Sequence, residues 1–254
     1  MDDRNPQRVA LVTGGAVRVG RAISLALAAA GYHLAVGYRT SESAAADLRD
    51  RVASLGLRCV PVQGDLADPA AVEALIEAVR SSFGRLDLLV NSAATFEARP
   101  LMEVDADAWD HVMAVNARAP HLSVRAAAPL LRASRGSVVN IVDLSAFQPW
   151  LEYPHHSVSK AALAHLTRVQ ARALAPEIRV NAIAPGAVLP PDDWPEARRE
   201  ALAERAPLKR VGSPTDVAEA VLYLAGASFV TGQVIAVDGG RLLGATDPPR
   251  AGDG

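Results

Sequence analysis

The chain has 254 residues, half of them hydrophobic, so its length permits one large buried core and does not require a second domain. A formal net charge of -2 and a pI near 6.3 give no electrostatic basis for binding nucleic acid or an anionic membrane. The single cysteine, Cys59, cannot form an internal disulfide, and the N-terminal residues lack the apolar stretch of a signal peptide. We therefore expect a cytoplasmic protein with no metal site and no membrane span.

Short β-rich runs alternate with helical patterns along the chain. Most of the runs are continuously apolar, as parallel strands covered on both faces are. The predicted strands are 9–13, 33–38, 58–62, 86–91, 137–142, 178–184 and 234–237. The predicted helices are 21–30, 43–55, 70–83, 107–132, 158–174 and 214–225. This alternation predicts an α/β fold in which a doubly wound, seven-stranded parallel sheet carries helices on both faces.

The first strand-to-helix turn, Thr13–Gly20, is rich in glycine. Gly14 and Gly15 allow a tight turn and a close approach of the backbone to a ligand, and Gly20 lets the next helix pack near the strand. The N-terminus of that helix offers free N–H groups and a positive dipole end to a pyrophosphate. A glycine-rich turn in this position predicts a dinucleotide-binding site.

The end of the second predicted strand distinguishes the two nicotinamide dinucleotides. An NAD-binding protein places a carboxylate there to accept from the ribose 2′-hydroxyl. This chain has Arg39, Thr40 and Ser41 instead, and Glu42 already belongs to the next helix. A guanidinium and two hydroxyls suit a 2′-phosphate, which favours NADP(H). The alternative is an exposed arginine beside a helix cap at Ser41.

The segment from Asp143 to Lys160 begins at the end of one predicted strand and ends inside a helical pattern. In an α/β sheet such a segment lies near the carboxyl ends of the strands, where ligands bind. It resembles the active-site segment of the short-chain dehydrogenase/reductase family. In that family a Ser or Asp precedes a catalytic tyrosine by thirteen residues and a lysine follows it by four. Asp143 and Lys160 match, whereas the tyrosine position holds His156.

The resemblance covers nearly the whole chain and implies a single-domain Rossmann-type fold over 1–245, followed by a flexible tail at 246–254. It implies an NADP(H)-dependent oxidoreductase acting on a small molecule, and a homotetramer. The turn after the fourth strand departs from the family's Asn-Asn-Ala-Gly at its second and fourth positions. The catalytic residues it implies are Asn116, Asp143, His156 and Lys160. The cofactor-binding residues it implies are Gly14, Arg18, Val19, Gly20, Tyr38, Arg39, Thr40, Ser41, Asp65, Leu66, Asn91, Ser92, Ala93, Lys160, Pro185 and Gly186.

Several positions are similar to the pteridine reductase branch of the family. That branch has Asp at the position of Asp143, a Gln-Pro pair like Gln148-Pro149 and a tyrosine like Tyr153. It also places an aromatic residue like Phe96 after the asparagine turn, where the ring stacks on the pterin. The segment 187–206, here called the lid segment, is expected to cover the substrate. The substrate-binding residues implied are Phe96, Asp143, Trp150, Tyr153, His156 and Trp194.

The histidine at position 156 bears on the type of reaction. Reduction of a ketone creates an oxyanion that must be protonated or stabilised, and a neutral imidazole is a poor acid for an alkoxide. A protonated imine becomes a neutral amine when it accepts hydride, so it needs the carboxylate of Asp143 more than a tyrosine acid. We therefore expect an NADPH-dependent reductase of a C=N bond in a dihydropterin-like or other cyclic imine. The alternatives are a ketone reductase using His156 as the acid and a non-catalytic NADP(H)-binding homologue.

Overall fold

The computed structural model describes residues 8–190 and 194–244. The strands are β1 Val9–Thr13, β2 His33–Tyr38, β3 Cys59–Gln63, β4 Leu88–Asn91, β5 Ser137–Ile141, β6 Arg179–Pro185 and β7 Val234–Val237. The helices are α1 Arg18–Ala29, α2 Glu42–Ser54, α3 Pro69–Phe83, α4 Ala106–Met113, α5 Ala119–Ser134, α6 Pro154–Leu174, α7 Glu196–Glu204 and α8 Pro214–Gly226.

The strands form one seven-stranded sheet in the order β3-β2-β1-β4-β5-β6-β7, and every neighbouring pair is parallel. The order reverses between β1 and β4, so the crossovers after β1 and after β4 run to opposite sides. In such sheets the carboxyl ends of the strands at the reversal form the ligand crevice. The predicted doubly wound parallel sheet is confirmed.

Both faces of the sheet are covered by helices through apolar contacts. On one face Leu27 of α1 and Val221 of α8 belong to the same buried cluster. On the other face Val79 of α3 and Leu131 of α5 are fully buried in a second cluster. Burying a side chain of this size stabilises the fold by about 1.5–3 kcal/mol relative to leaving it exposed. The strands therefore emerge from a rigid core, and the loops at their carboxyl ends carry the site.

The segment predicted as one helix over 107–132 is helical without a break from 106 to 134, but it is not α-helical throughout. The structure has α4, then a π-helical segment at Ala114–Arg118, then α5. Pro120 has no N–H to donate to the carbonyl four residues earlier, which belongs to Asn116. A π-type turn accommodates that missing bond, and such turns are frequent at functional sites. The change of helix type therefore falls on a predicted catalytic residue.

The helix predicted at 158–174 begins four residues earlier, at Pro154. Proline is compatible with the first turn of a helix because its missing N–H has no partner there in any case. Pro154 is therefore the first residue of α6 and does not interrupt it. Tyr153 precedes the helix as its N-cap residue, whereas His156 lies in the first turn.

The lid segment contains α7, which the sequence patterns did not predict. Residues 191–193 of this segment, and the predicted tail at 246–254, lie outside the described residues. At the far edge of the sheet, β3 carries Pro61 at its centre. Within the described ranges, no helix combines the length and apolarity that crossing a bilayer requires.

Candidate active site

A large cleft lies at the carboxyl ends of the strands, with a volume of about 1470 Å³. Pockets for one ligand generally measure about 300–1,000 Å³, so this cleft has room for a dinucleotide and a second molecule. Of the predicted cofactor-binding residues, all except Asn91 line it. Of the predicted catalytic residues, Asp143, His156 and Lys160 line it and Asn116 does not.

The first βα turn approaches the turn after β4 closely. A Cβ atom at Gly14, whose φ is +62°, would lie 2.9 Å from Cα of Ala93, so the position requires glycine. A Cβ atom at Gly20 would lie 2.2 Å from the carbonyl oxygen of Gly14. The N-cap of α1 is Val17, and no side chain caps this terminus. The free N–H groups of α1 therefore face the cleft, where a pyrophosphate suits them.

At the end of β2, Arg39, Thr40 and Ser41 line the cleft. Ser41 is the N-cap residue of α2, but its side chain makes no capping hydrogen bond, so the hydroxyl is available to a ligand. The guanidinium of Arg39 lies 3.7 Å from the carboxylate of Asp65, and both side chains are about half exposed. An exposed pair at this distance is weak, so it leaves Arg39 free to bind a phosphate.

Arg18 also lines the cleft but contacts the lid segment. Its φ is +51°, an uncommon value for a residue other than glycine, and its guanidinium donates to the carbonyl oxygen of Leu189 at 3.2 Å. This bond joins the turn that begins α1 to the start of the lid segment.

Asp143 follows β5 and is held by two neighbours. Its Oδ1 accepts from the backbone N–H of Ser145 at 2.8 Å and from the Ser145 hydroxyl, and its Oδ2 lies 2.6 Å from Nε2 of His156. Burial alone would raise the pKa of this carboxyl, but the hydrogen bond from His156 and the charge of Lys160 outweigh burial and lower the pKa. Asp143 is therefore a carboxylate at neutral pH.

His156 is buried, with 2% of its surface exposed, whereas the Asp143 side chain is 19% exposed. Because Asp143 is ionised, Nε2 of His156 carries a proton and donates to it. The other ring nitrogen, Nδ1, lies 3.1 Å from the carbonyl oxygen of Thr95 and 3.3 Å from Nδ2 of Asn116. The two hydrogens of the Asn116 amide are directed to the Thr95 carbonyl oxygen and the Ser159 hydroxyl, so the Thr95 carbonyl oxygen is the main polar neighbour of Nδ1.

Lys160 lies one turn after His156 on α6 and is almost fully buried. Its Nζ donates to the carbonyl oxygen of Ile141 at 2.9 Å. Burial lowers the pKa of this ammonium, and the charge of Asp143 partly opposes that effect. Among the side chains, the direct partner of His156 is therefore Asp143 and not Lys160.

Two predicted asparagines lie behind the wall of the cleft. Asn91 donates to Oδ1 of Asn140 at 2.8 Å inside the sheet. Asn116 accepts from Thr95 N–H at 2.9 Å, and its amide donates to the Thr95 carbonyl oxygen at 3.1 Å and to the Ser159 hydroxyl at 3.0 Å. Asn116 thus holds the backbone of Thr95, whereas Asn91 links β4 to β5 through the Asn140 side chain, so both act on the site through their neighbours.

Aromatic side chains form one wall of the cleft. Phe96 stacks on Tyr153 with ring centroids 4.2 Å apart, and its ring meets His156 edge-on at 4.7 Å. The ring of Trp150 is near-parallel to that of His156 at 6.4 Å. Phe96 is 55% exposed, so its outer surface is open to a planar ligand even though Tyr153 covers one face.

Sequence reasoning missed several residues of the site. Ser145 and the backbone of Thr95 bind the Asp143–His156 pair, and the only signal for Ser145 is its position two residues after an aspartate, which favours a side-chain-to-backbone turn. The predicted substrate-binding residue Trp194 lines the cleft next to three arginines that were not predicted, Arg198, Arg205 and Arg241. In the part of the chain that the structure describes, no group of three or more His, Cys, Asp or Glu side chains could hold a metal ion.

Comparison with known proteins agrees with this geometry. A family model described as enoyl-(acyl carrier protein) reductase matches residues 15–241. The 3-oxoacyl-[acyl-carrier-protein] reductase FabG of Staphylococcus aureus is 35% identical over 240 residues, which cover 92% of this chain and 98% of that protein.

Two solved structures are also similar. A blue fluorescent protein from a metagenomic library, in complex with NADPH, has a TM-score of 0.85 and 35% identity, covering 92% of this chain and 97% of that one. A protein described as a short-chain dehydrogenase/reductase from Burkholderia xenovorans has a TM-score of 0.88 and 34% identity, covering 95% of this chain and 100% of that one. The match to the family model spans well over half of the chain and the sheet order agrees with it. The chain belongs to the short-chain dehydrogenase/reductase family of oxidoreductases.

Proposed function

We propose that this oxidoreductase uses NADPH to reduce a C=N bond in a dihydropterin-like or other cyclic imine. The observation that carries the proposal is the pair of Asp143 and His156, in which an ionised carboxylate faces the cleft and a buried imidazole stands behind it. The cofactor, when bound, supplies the hydride. Every other requirement of the reaction falls to side chains of this chain.

The choice of NADP(H) rests on the end of β2. Arg39, Thr40 and Ser41 offer a guanidinium and two hydroxyls to a 2′-phosphate, and the hydroxyl of Ser41 is not used to cap α2. The NADPH bound to the similar metagenomic protein supports the same choice. The uncapped N-terminus of α1 holds the pyrophosphate.

The charge of Asp143 distinguishes between substrates. A carboxylate beside the imine binds and favours its protonated form, and this is the form that accepts hydride at carbon while the π electron pair moves to nitrogen. No acid is needed, because the iminium already carries its proton. The same carboxylate beside a ketone would oppose the oxyanion that develops on oxygen. His156 and Ser145 then serve to keep Asp143 ionised and oriented.

Aromatic lining supports a planar substrate. Phe96, Trp150 and Tyr153 all line the cleft beside His156. Offset or edge-to-face contacts between such rings contribute about 0.5–1.5 kcal/mol each beyond the area they bury. A flat heterocycle such as a dihydropterin fits this wall, and this lining is the structural support for the pteridine reductase branch.

A ketone reductase is the second candidate, because the curated relative from Staphylococcus aureus is a 3-oxoacyl reductase. In that case His156 must pass its Nε2 proton through Asp143 to the substrate oxygen. The two candidates are separated by measuring NADPH oxidation with dihydrobiopterin, dihydrofolate, a cyclic imine and a ketone. Faster turnover of the ketone than of all three C=N substrates would overturn the C=N proposal.

Substitution separates the roles of the two side chains. Asp143→Asn should lower kcat/KM for a basic imine on the order of a hundredfold, as the loss of one transition-state partner does. His156→Phe should cost less, because the substrate brings its own proton. If His156→Phe abolishes imine reduction while Asp143→Asn spares it, histidine is the proton donor. His156→Tyr provides the matched gain: it should raise ketone reduction more than imine reduction.

The homotetramer implied by the family resemblance is also a proposal. Val158 and Val169 on α6 are about half exposed, which suits a face covered by another subunit. Light scattering coupled to gel filtration measures the mass directly. A monomer at micromolar concentration would contradict the proposal.

A further inference from the structure

Helix α7 and the residue that follows it present one face to the cleft. Arg198, Ala201, Leu202 and Arg205 all line the cleft, and they recur at spacings of three and four residues. That spacing places them on the same side of a helix. The face is therefore cationic at both ends and apolar between them.

The acidic residues of α7 lie on other sides of the helix. Glu196 and Glu200 line a separate, smaller depression that the cleft does not include. Glu204 is paired with Lys209 at 3.0 Å. Of the charged residues of α7, only Arg198 lines the cleft, whereas Arg199 lies with Glu196 and Glu200 at the smaller depression.

Three of the arginines that line the cleft make no ion pair with any residue that the structure describes. Within residues 8–190 and 194–244, no ion pair involves Arg198, Arg205 or Arg241. The guanidinium of Arg198 lies over the ring of Trp194, 3.6 Å from its centroid. A guanidinium stacked in this way keeps its N–H donors in the plane of the group, where an oxyanion can accept from them.

Arg241, which follows β7, adds a third cation on the same side of the cleft. Burial and the nearby charge of Arg205 lower the pKa of its guanidinium, and the charge of Asp238 partly opposes them. Asp238 is an acid close enough to act on Arg241, and its carboxylate also accepts from the backbone N–H groups of Gly240 and Leu242 at 2.8 and 2.7 Å. Asp238 therefore offsets part of the charge of Arg241, and the three arginines together keep a net positive charge.

We propose that Arg198, Arg205 and Arg241 form a binding site for an anionic group of the substrate, a carboxylate or a phosphate. The cation proposed to bind the cofactor lies elsewhere, because Arg39 follows β2. In the sheet order, β2 and β6 lie on opposite sides of the point between β1 and β4 where the strand order reverses. The arginine site lies on the side of β6 and β7. Bidentate hydrogen bonds between guanidinium and either oxyanion give such a site its strength.

The proposal deepens the proposed function and rests on it in one respect. If the reacting end is a protonated imine held by Asp143, then the substrate carries opposite charges at its two ends. Asp143 and the arginines together then fix its direction in the cleft, because the reversed orientation would place like charges together.

The test uses a matched pair of fluorescent probes that need no turnover. The enzyme saturated with NADP⁺ is titrated with 8-anilinonaphthalene-1-sulfonate and with the uncharged N-phenyl-1-naphthylamine, which shares its aromatic body. We expect the anionic probe to bind at least about tenfold more tightly, as one charge-assisted contact permits. Arg198→Gln, Arg205→Gln and Arg241→Gln should each reduce this preference and leave binding of the uncharged probe unchanged. Displacement of the anionic probe by benzoate or by phenyl phosphate identifies the oxyanion that the site prefers.

Arg49→Gln is the control, because it removes the same charge from an exposed position on α2 that does not line the cleft. Equal binding of the two probes, or an unchanged preference in all three arginine variants, would overturn the proposal. A weakened affinity for NADPH with unchanged probe preference would assign the arginines to the cofactor instead. The probe experiment measures binding without turnover. A failure of the C=N proposal therefore does not contradict the anion site, and a failure of the anion site does not contradict the C=N proposal.

Discussion

At the scale of single residues, cofactor choice depends on a few side chains after β2. Arg39→Asp should raise the KM for NADPH about 10- to 100-fold, because a charge-assisted contact to the 2′-phosphate contributes about 1.5–3 kcal/mol. The new carboxylate can accept from a 2′-hydroxyl, so the KM for NADH should fall. Steady-state kinetics with both cofactors measure the change. Arg49→Asp, at an exposed position on α2, is the matched control.

The pH profile reports the charge of Asp143 and of the substrate separately. The pKa of Asp143 is lowered, so its carboxylate stays ionised below the ordinary Asp pKa near 3.9. Asp143 should therefore cause no fall in kcat/KM between about pH 7 and pH 5. On the alkaline side kcat/KM should fall as the iminium loses its proton. Two imines of different basicity should therefore shift that limb in parallel. A limb at the same pH for both substrates would assign it to the enzyme.

At the scale of elements, the apolar runs were enough to predict the strands, and the glycine-rich turn was enough to predict the first strand-to-helix connection. Both features depend on local composition. That Asp143, His156 and Lys160 line one cleft could also be predicted, because the carboxyl ends of parallel strands lie at the same edge of the sheet. The bond between Asp143 and His156 could not, because it depends on where α6 begins. Helix α7 was missed because its mixture of charges hides any apolar period, and its function appears only when the cleft is seen beside it.

Helix α8 gives a stability prediction at this scale. Its N-terminus is a capping box: the Ser213 hydroxyl accepts from the Asp216 N–H, and the Asp216 carboxylate accepts from the Ser213 N–H. Ser213→Ala should lower the free energy of unfolding by about 1 kcal/mol, measured by urea denaturation at pH 7. Glu219→Gln, at an exposed position of the same helix, should be nearly neutral.

The same cap makes stability depend on pH. Hydrogen bonds from Arg210 and from the Ser213 backbone lower the pKa of Asp216. A lowered pKa contributes stability that is fully present above the unfolded value near 3.9 and is lost as the pH falls through the folded value. The destabilisation caused by Asp216→Asn should therefore be larger at pH 7 than at pH 3. An equal difference at both pH values would show that the charge of Asp216 makes no contribution.

At the scale of the whole molecule, cofactor binding is linked to folding. A ligand that binds only the native state at a hundred times its Kd stabilises that state by about 2.7 kcal/mol. For a chain of this size each kcal/mol raises Tm by about 2–4 °C, so saturating NADPH should raise Tm by roughly 5–10 °C. Thermal unfolding monitored by circular dichroism measures the shift. NADH at the same concentration should raise it less, and Arg39→Asp should reverse that order.

The proline at the centre of β3 has a consequence for association between chains. Gly64 N–H bonds to Tyr38, so the even-numbered residues of β3 direct their N–H groups to β2 and the odd-numbered ones direct theirs outward. Pro61 therefore removes the central donor from an open rim that would otherwise template an added strand. A strand from another chain that pairs with β3 therefore cannot form a complete set of backbone hydrogen bonds. The edge thus protects the protein from forming intermolecular β-structure.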